Sequence, residues 1–142
     1  MVHDTIKLLI LTCCLCLTVT AAPAAFAQEQ KDVYVAQVDP DGVQRVRLEG
    51  GGYFFKPNHI VVRVNVPVEL LASREAGFVP HDLVIQAPEA GISVEVDLAA
   101  EPKKIAFTPT TIGKYPFYCG QKLLFFASHR ERGMEGVLEV VP

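Results

Sequence analysis

The side chains best suited to chemistry lie close together near the carboxyl end of the chain: Cys119, His129 and Met134. A thiolate, an imidazole and a thioether are the soft and borderline ligands that copper prefers, and electron-transfer copper combines a His₂Cys plane with a weak axial Met. One histidine is missing from that set. His81 follows Pro80, whose ring stiffens the chain, and precedes an apolar strand. We therefore expect His81 to supply the missing ligand.

Each of these residues also has a simpler explanation. Taken alone, Cys119 is as well explained as a small buried hydrophobe at a strand end. His59 competes with His81, because it also begins an apolar run, but it lacks the spacing to further ligands. We interpret His59 as a polar residue at a strand end. The grouping of Cys119 with His129 and Met134 favours the metal site.

The first 27 residues predict a signal peptide rather than a part of the folded domain. Residues 8–27 are almost wholly apolar, follow Lys7 and end in Ala25-Phe26-Ala27, the small-x-small pattern of a cleavage site. An uncleaved membrane anchor is the alternative. The chain lacks a twin-arginine pair, so the general secretory route is expected. We predict a mature chain from Gln28 and a single domain over residues 28–142.

The cysteine count supports a site at Cys119. The other three of the four cysteines lie within the predicted signal segment: Cys13, Cys14 and Cys16. Cysteines of exported proteins usually pair, and Cys119 would have no partner after cleavage. An unpaired thiol in an oxidising compartment is either inert and buried or chemically employed. Its position beside His129 and Met134 favours a chemical role for the thiol.

Hydrophobic patterning predicts an all-β domain. Runs rich in β-branched and aromatic residues are broken by Pro and Gly every eight to twelve residues, which is typical of a sandwich or barrel. Residues 33–38 and 43–48 flank a turn signal, Asp39-Pro40-Asp41-Gly42, and predict a hairpin. Three glycines, residues 50–52, are expected to separate this hairpin from the next strand. Further strands are predicted at 53–55, 59–66, 68–73, 81–86, 92–97, 103–107, 114–119 and 136–141. The interpretation is a Greek-key β-sandwich.

The spacing of the motifs resembles that of the cupredoxins, the proteins with type 1 blue-copper sites. The resemblance rests on Val79-Pro80-His81, on Gly-x-Tyr-x-Phe-x-Cys ending at Cys119, and on His129-x₄-Met134. It implies a two-sheet Greek-key β-sandwich holding one type 1 copper that cycles between Cu(I) and Cu(II). It also implies that the ligands are His81, Cys119, His129 and Met134.

Two departures from the commonest cupredoxin pattern stand out. Nine residues separate Cys119 from His129, which is similar to the type 1 site of copper nitrite reductases. Those enzymes have a second copper ligand, a His, immediately before the Cys; here that residue is Tyr118, so enzymatic activity is not expected. The residue after the first His is often Asn, and here it is Asp82. An ionised carboxylate there would favour Cu(II) and lower the potential.

The long loop after Cys119 is the most individual segment of the chain. We predict a short helix over residues 122–132. Its four consecutive apolar residues, 123–126, have two interpretations: they pack onto the end of the sandwich, or they form a hydrophobic docking patch through which electrons leave by His129. Arg130, Glu131 and Arg132 would form the charged rim of that patch.

Composition and motifs together predict the class of function. The chain has 13 Lys and Arg against 16 Asp and Glu, without a basic stripe for nucleic acid. We expect a periplasmic protein, soluble unless the signal segment is retained, that carries single electrons between redox proteins such as a cytochrome c or a copper or haem oxidoreductase. A copper-tolerance protein that binds, sequesters or oxidises copper is the alternative. A reductase or oxidase is a third possibility, which the missing extra ligands disfavour, and a metal-free β-sandwich adhesion module is the remaining one.

Overall fold

The computed structural model describes residues 32–142, so the predicted signal segment, the predicted cleavage point and the first three cysteines lie outside the described residues. Ten strands account for nearly all regular structure there. They are β1 (Val33–Val35), β2 (Gln44–Gly51), β3 (Phe54–Lys56), β4 (His59–Arg63), β5 (Val68–Arg74), β6 (Asp82–Ala87), β7 (Ile92–Asp97), β8 (Lys103–Phe107), β9 (Gly113–Tyr118) and β10 (Glu135–Val141).

The strands form two sheets. Six strands make one sheet in the order β1-β4-β10-β9-β6-β7, and four make the other in the order β3-β2-β5-β8. Strand β4 runs parallel to both β1 and β10, while the pairs β10–β9 and β6–β7 are antiparallel. Sequence neighbours are thus often separated in a sheet, as expected of a Greek-key sandwich. The predicted all-β sandwich is confirmed.

Alternation along the strands explains how the sheets pack. In β9, Tyr115 and Phe117 point inward and are buried, and Cys119 continues the same face just beyond the strand. In β3, Phe55 meets Phe117 edge to face, with ring centroids 5.4 Å apart. Side chains at every second residue therefore fill the space between the sheets.

Two sequence interpretations of the amino-terminal strands are wrong. The predicted hairpin of residues 33–38 and 43–48 does not form, because β1 pairs in parallel with β4 in the other sheet, and only Val38 and Gln44 form a bridge. The glycines at 50 and 51, expected to separate elements, belong to β2. A Cβ on Gly50 would lie 3.0 Å from the Met134 methyl group, so close packing explains this glycine.

The predicted helix over residues 122–132 is also wrong. That segment consists of turns, and the one helix within residues 32–142 is the 3₁₀ turn Pro88–Ala90. Leu124 has φ 48°, in the left-handed region that ends a right-handed helix. Among the described residues, no helix has the length and apolar character needed to cross a membrane.

Candidate metal centre

The predicted ligands lie at strand ends on one end of the sandwich. His81 immediately precedes β6, Cys119 immediately follows β9, and Met134 immediately precedes β10. The Cys119 N–H donates to the Met134 carbonyl (3.0 Å), and the Met134 N–H donates to the His129 carbonyl (3.0 Å). His129 is thereby tied to the start of β10, although it lies in the loop.

Three of the predicted ligands bring their donor atoms together. Cys119 Sγ lies 3.4 Å from His129 Nδ1 and 3.9 Å from His81 Nδ1, and the two Nδ1 atoms are 3.1 Å apart. All three residues are buried: Cys119 is fully inaccessible, and each histidine is 6% exposed. Within residues 32–142 they are the one group of His, Cys and acidic side chains whose ligand atoms converge in this way.

The dimensions of this triangle fit a metal ion. Nitrogen and sulfur ligands held about 2.0–2.3 Å from an ion in a trigonal plane lie roughly 3.5–3.8 Å apart. The observed separations of 3.1–3.9 Å are close to that spacing. Two imidazoles and one thiolate are the trigonal donor set of electron-transfer copper. The site therefore fits one copper ion.

Met134, the fourth predicted ligand, lies near this triangle. Its side chain is fully buried. Its backbone connects to both Cys119 and His129 through the hydrogen bonds given above. Met134 is thus positioned with the ligand loop, and its role as the axial ligand remains a prediction.

Burial sets the protonation of the metal-free donors. Burial raises the pKa of the Cys119 thiol to about 11, and backbone N–H groups of Asp82 and Gln121 oppose this rise. Burial lowers the pKa of His81, and the charges of His129 and Arg74 lower it further. At neutral pH the thiol is therefore protonated, and His81 is neutral and ready to bind a metal.

Asp82 fastens the loop after Cys119 to the strand that carries His81. One carboxylate oxygen accepts from the Gly120 N–H, and the other accepts from the Gln121 side-chain amide at 3.0 Å. The Asp82 N–H points to Cys119 Sγ at 3.5 Å. A Cβ on Gly120 would lie 3.3 Å from the carboxylate, which explains a glycine there. The predicted carboxylate beside the site is therefore present and also shapes the loop.

Sequence reasoning missed one contact of His129. The Tyr53 ring packs edge-on against the His129 imidazole, with centroids 5.1 Å apart and planes at 83°. Burial lowers the pKa of His129, and the charge of Arg132 adds to this effect. Tyr53 lies in a tight turn directly after three glycines, a signal for an unusual backbone, but nothing in the sequence links that turn to a residue 76 positions later.

His59, the competing histidine, lies outside the cluster. It is the first residue of β4, and its Nε2 contacts Glu139 Oε2 at 2.7 Å. That hydrogen bond is the main reason that the pKa of Glu139 is lowered, and Lys114, 3.3 Å from the same carboxylate, adds to it. The interpretation of His59 as a polar residue at a strand end is confirmed.

The apolar run in the ligand loop does not pack onto the sandwich. Phe125 is 86% exposed, and Phe78 in the neighbouring loop is completely exposed. Together the exposed side chains of these two loops define the apolar patch: Phe78, Val79, Leu123, Leu124, Phe125 and Phe126. Between the loops lies a cleft of about 430 Å³ with His129 in its wall. The packing interpretation is therefore wrong, and part of the patch lines the cleft beside His129.

Comparisons with solved structures show the fold. The metal-binding domain of the Streptococcus pneumoniae D39 Cu(I)-exporting P-type ATPase CopA, solved with Cu(I), is 23% identical with a TM-score of 0.58 and covers 79% of this chain and 98% of its own. A copper-binding protein in its apo form is 24% identical with a TM-score of 0.56, and the match covers 76% of this chain and 96% of that protein. Auracyanin B is 17% identical with a TM-score of 0.53, and the match covers 75% of this chain and 94% of that protein. No protein-family model matches the chain, and no curated protein matches its sequence.

Proposed function

We propose that this chain, which has the cupredoxin fold and a buried donor group that fits type 1 copper, is an exported protein that carries single electrons. The observation that carries the proposal is the convergence of His81, Cys119 and His129 at one end of the sandwich. His129 also lies in the wall of a cleft that is lined by part of the exposed apolar patch. Copper bound there would accept and release one electron by cycling between Cu(II) and Cu(I). Met134 is proposed as its axial ligand.

The protein contributes rigidity to this function. His81 and Cys119 adjoin strands β6 and β9, and hydrogen bonds from Asp82 connect the two segments. Ligands held by a sheet keep their positions when the charge of the ion changes, so little structural rearrangement accompanies electron transfer. The buried setting keeps water from the thiolate and protects it from oxidation.

The apolar patch supports a protein partner. Soluble proteins seldom expose several large apolar side chains together unless the surface binds something. The patch adjoins His129, which is the one predicted ligand that lines this cleft. We propose that a redox protein of the periplasm, such as a cytochrome c or a copper or haem oxidoreductase, docks here and exchanges an electron through the His129 ring.

The first experiment tests the metal site. Cu(II)-loaded wild-type protein should bind one copper per chain and show an intense thiolate-to-Cu(II) absorption band. Cys119→Ser should lack that band, because Cys119 is the only thiol of residues 28–142. A wild-type protein without the band would overturn the proposed site.

The second experiment tests the patch with a matched control. Phe125→Ser should slow electron exchange with reduced cytochrome c about tenfold, since an exposed aromatic at the centre of an interface often contributes more than 1 kcal/mol. Ile112→Ser should leave the rate unchanged, because Ile112 is equally an exposed apolar residue but precedes β9 at the other end from Cys119. Both variants should keep the wild-type spectrum. Equal rates in all three proteins would exclude the patch as the docking surface.

Copper tolerance is the second candidate. Its support is the likeness in fold to the metal-binding domain of a Cu(I) exporter. A tolerance protein should protect cells that are stressed by copper, whereas an electron carrier should be needed for respiration at ordinary copper levels. Deletion of the gene, followed by growth measurements with and without added copper, separates the two.

A further inference from the structure

Tyr53 occupies a turn position that strongly favours glycine. Strand β2 ends at Gly51 and β3 begins at Phe54, so Gly52 and Tyr53 form a two-residue hairpin loop with φ of 46° and 67°. Positive φ at both positions is typical of a type I′ turn, whose second residue is usually glycine. A bulky residue in this region is a conformational outlier that costs stability. Such a residue persists only where surrounding contacts hold it in place.

The Tyr53 side chain connects two residues of the ligand loop. One edge contacts the His129 imidazole, as described above. The Arg132 guanidinium lies 4.9 Å from the ring centroid, and its Nη1 donates to the Tyr53 hydroxyl at 3.2 Å. Among the described residues Arg132 forms no salt bridge, so its positive charge is held beside the site without a neutralising carboxylate. Through Tyr53, the hairpin of β2 and β3 thus contacts a loop that has no regular secondary structure of its own.

We propose that Tyr53 and Arg132 form a brace that fixes the orientation of the His129 imidazole and raises the reduction potential of copper bound there. This inference rests on the proposed function of the site. A ring packed against the imidazole restricts its rotation, as outer contacts of metal-bound histidines commonly do. A positive charge near the ion disfavours Cu(II) more than Cu(I), so it raises the potential. Tyr53 and Arg132 are positioning residues that act through His129.

The test separates the brace from a purely structural turn. Tyr53→Phe keeps the ring and removes the bond to Arg132, and Arg132→Gln removes the charge; both should lower the reduction potential. The double variant should lower it by less than the sum of the two, because the residues share one interaction. Tyr53→Gly removes the ring, so the dissociation constant for Cu(I) should rise about tenfold.

The backbone cost gives a second, independent readout. Tyr53→Gly should be more stable without metal than Tyr53→Ala, since only glycine relieves the positive φ. The dissociation constant for Cu(I) should rise by the same factor in Tyr53→Gly and Tyr53→Ala. Two variants control for general effects: Tyr34→Phe removes a hydroxyl that donates to the Arg45 carbonyl away from the site, and Asn65→Gly relieves a positive φ of 59° after β4. Neither control should move the potential.

A metal-free measurement makes failure of the brace distinguishable from failure of the metal site. Side-chain NMR of metal-free wild type should show one ordered His129 ring shifted by the Tyr53 ring current, and Tyr53→Gly should abolish that shift. The brace would be overturned if its variants behaved like wild type in reduction potential, Cu(I) affinity and His129 resonances. The variants that decide this are Tyr53→Phe, Tyr53→Gly and Arg132→Gln. A wild type without a thiolate-to-Cu(II) band would instead overturn the proposed function, while the NMR result would still decide whether Tyr53 orders His129.

Discussion

The thiol of Cys119 shows how burial controls the chemistry available at one residue. It lies between the sheets, fully inaccessible, and burial raises its pKa to about 11. A protonated thiol is a poor nucleophile, so the metal-free protein resists oxidation at this position. A bound ion reverses the preference, because the metal binds the thiolate and displaces the proton. The same burial therefore protects the metal-free thiol and couples metal binding to proton release.

This coupling predicts a pH dependence of metal binding. Between pH 7 and 9 the Cys119 thiol is protonated, and both histidines, whose pKa values are lowered, are neutral. Binding of Cu(I) should then release about one proton, and the logarithm of the affinity should rise by about one per pH unit. Competition titrations with a Cu(I) chelator across this range measure the slope. A slope near zero would mean that the thiol is already ionised in the metal-free protein.

Met134 tests the difference between an axial ligand and an ordinary core residue. Met134→Leu should keep copper bound and raise the reduction potential, because losing a donor destabilises Cu(II) more than Cu(I). The swap nearly conserves volume at a fully buried position, so the fold should lose less than about 1.5 kcal/mol. Leu138→Met, a buried swap within β10, is the matched control and should leave the potential unchanged. An unaltered potential and spectrum in Met134→Leu would assign Met134 to the core.

At this scale the sequence predicted the convergent donors but not their surroundings. Cys119 and His129 lie within eleven residues, and His81 has a recognisable position before a strand, so residue types and local spacing were sufficient for these three donors. Met134 as a ligand stays a prediction. Tyr53 reaches His129 only because β2 and β3 form a hairpin over the ligand loop. Contacts of that kind depend on the packing of the sheets, which residue spacing does not encode.

At the scale of elements, buried polar contacts reveal how a strand connects to a turn. The Gln44 side chain is fully buried at the start of β2. Its amide nitrogen lies 3.3 Å from the carbonyls of both Arg63 and Val66, and its oxygen accepts from the Arg63 N–H at 2.7 Å. The side chain thereby satisfies the backbone where β4 ends, and it connects one sheet to the other.

Replacing Gln44 should lower the free energy of unfolding and leave metal binding unchanged. Gln44→Leu should destabilise the fold by about 3 kcal/mol, because it leaves buried backbone groups without partners. Gln86→Leu, an exposed change on β6, should alter stability by less than about 0.5 kcal/mol. Urea unfolding of the metal-free proteins gives both values. A Gln44→Leu protein as stable as wild type would show that water replaces the lost hydrogen bonds.

The elements that sequence patterns predicted correctly are those with clear alternation and nearby turn signals. Seven strands formed within two residues of their predicted bounds: β3, β5, β6, β7, β8, β9 and β10. The first hairpin was wrong, because a turn signal at residues 39–42 says nothing about which sheet each flanking strand joins. The prediction of a helix over residues 122–132 was wrong as well. Residues 123–126 are all apolar, and an exposed helix there would gain no packing against the sandwich from them.

At the scale of the whole molecule, the donors come from two distant parts of the chain. His81 precedes β6, whereas Cys119 and His129 lie on the loop between β9 and β10. The three donors meet only when both the β6–β9 and the β9–β10 contacts have formed. In an unfolded chain His81 is far from the other two donors, and none of the three has a fixed orientation. A metal that needs all three therefore binds the folded state and scarcely binds the unfolded one.

This difference predicts that copper stabilises the whole fold in proportion to its concentration. At a free Cu(I) concentration of 100 times the dissociation constant, binding to the folded state alone adds about 2.7 kcal/mol. For a domain of this size that corresponds to a rise of about 10 °C in the thermal midpoint. The rise should increase with further Cu(I) and disappear in Cys119→Ser, which keeps the sandwich but lacks the thiolate. Calorimetry of both proteins over a series of Cu(I) concentrations measures the effect. An equal rise in Cys119→Ser would mean that the stabilising ion binds away from the buried donors.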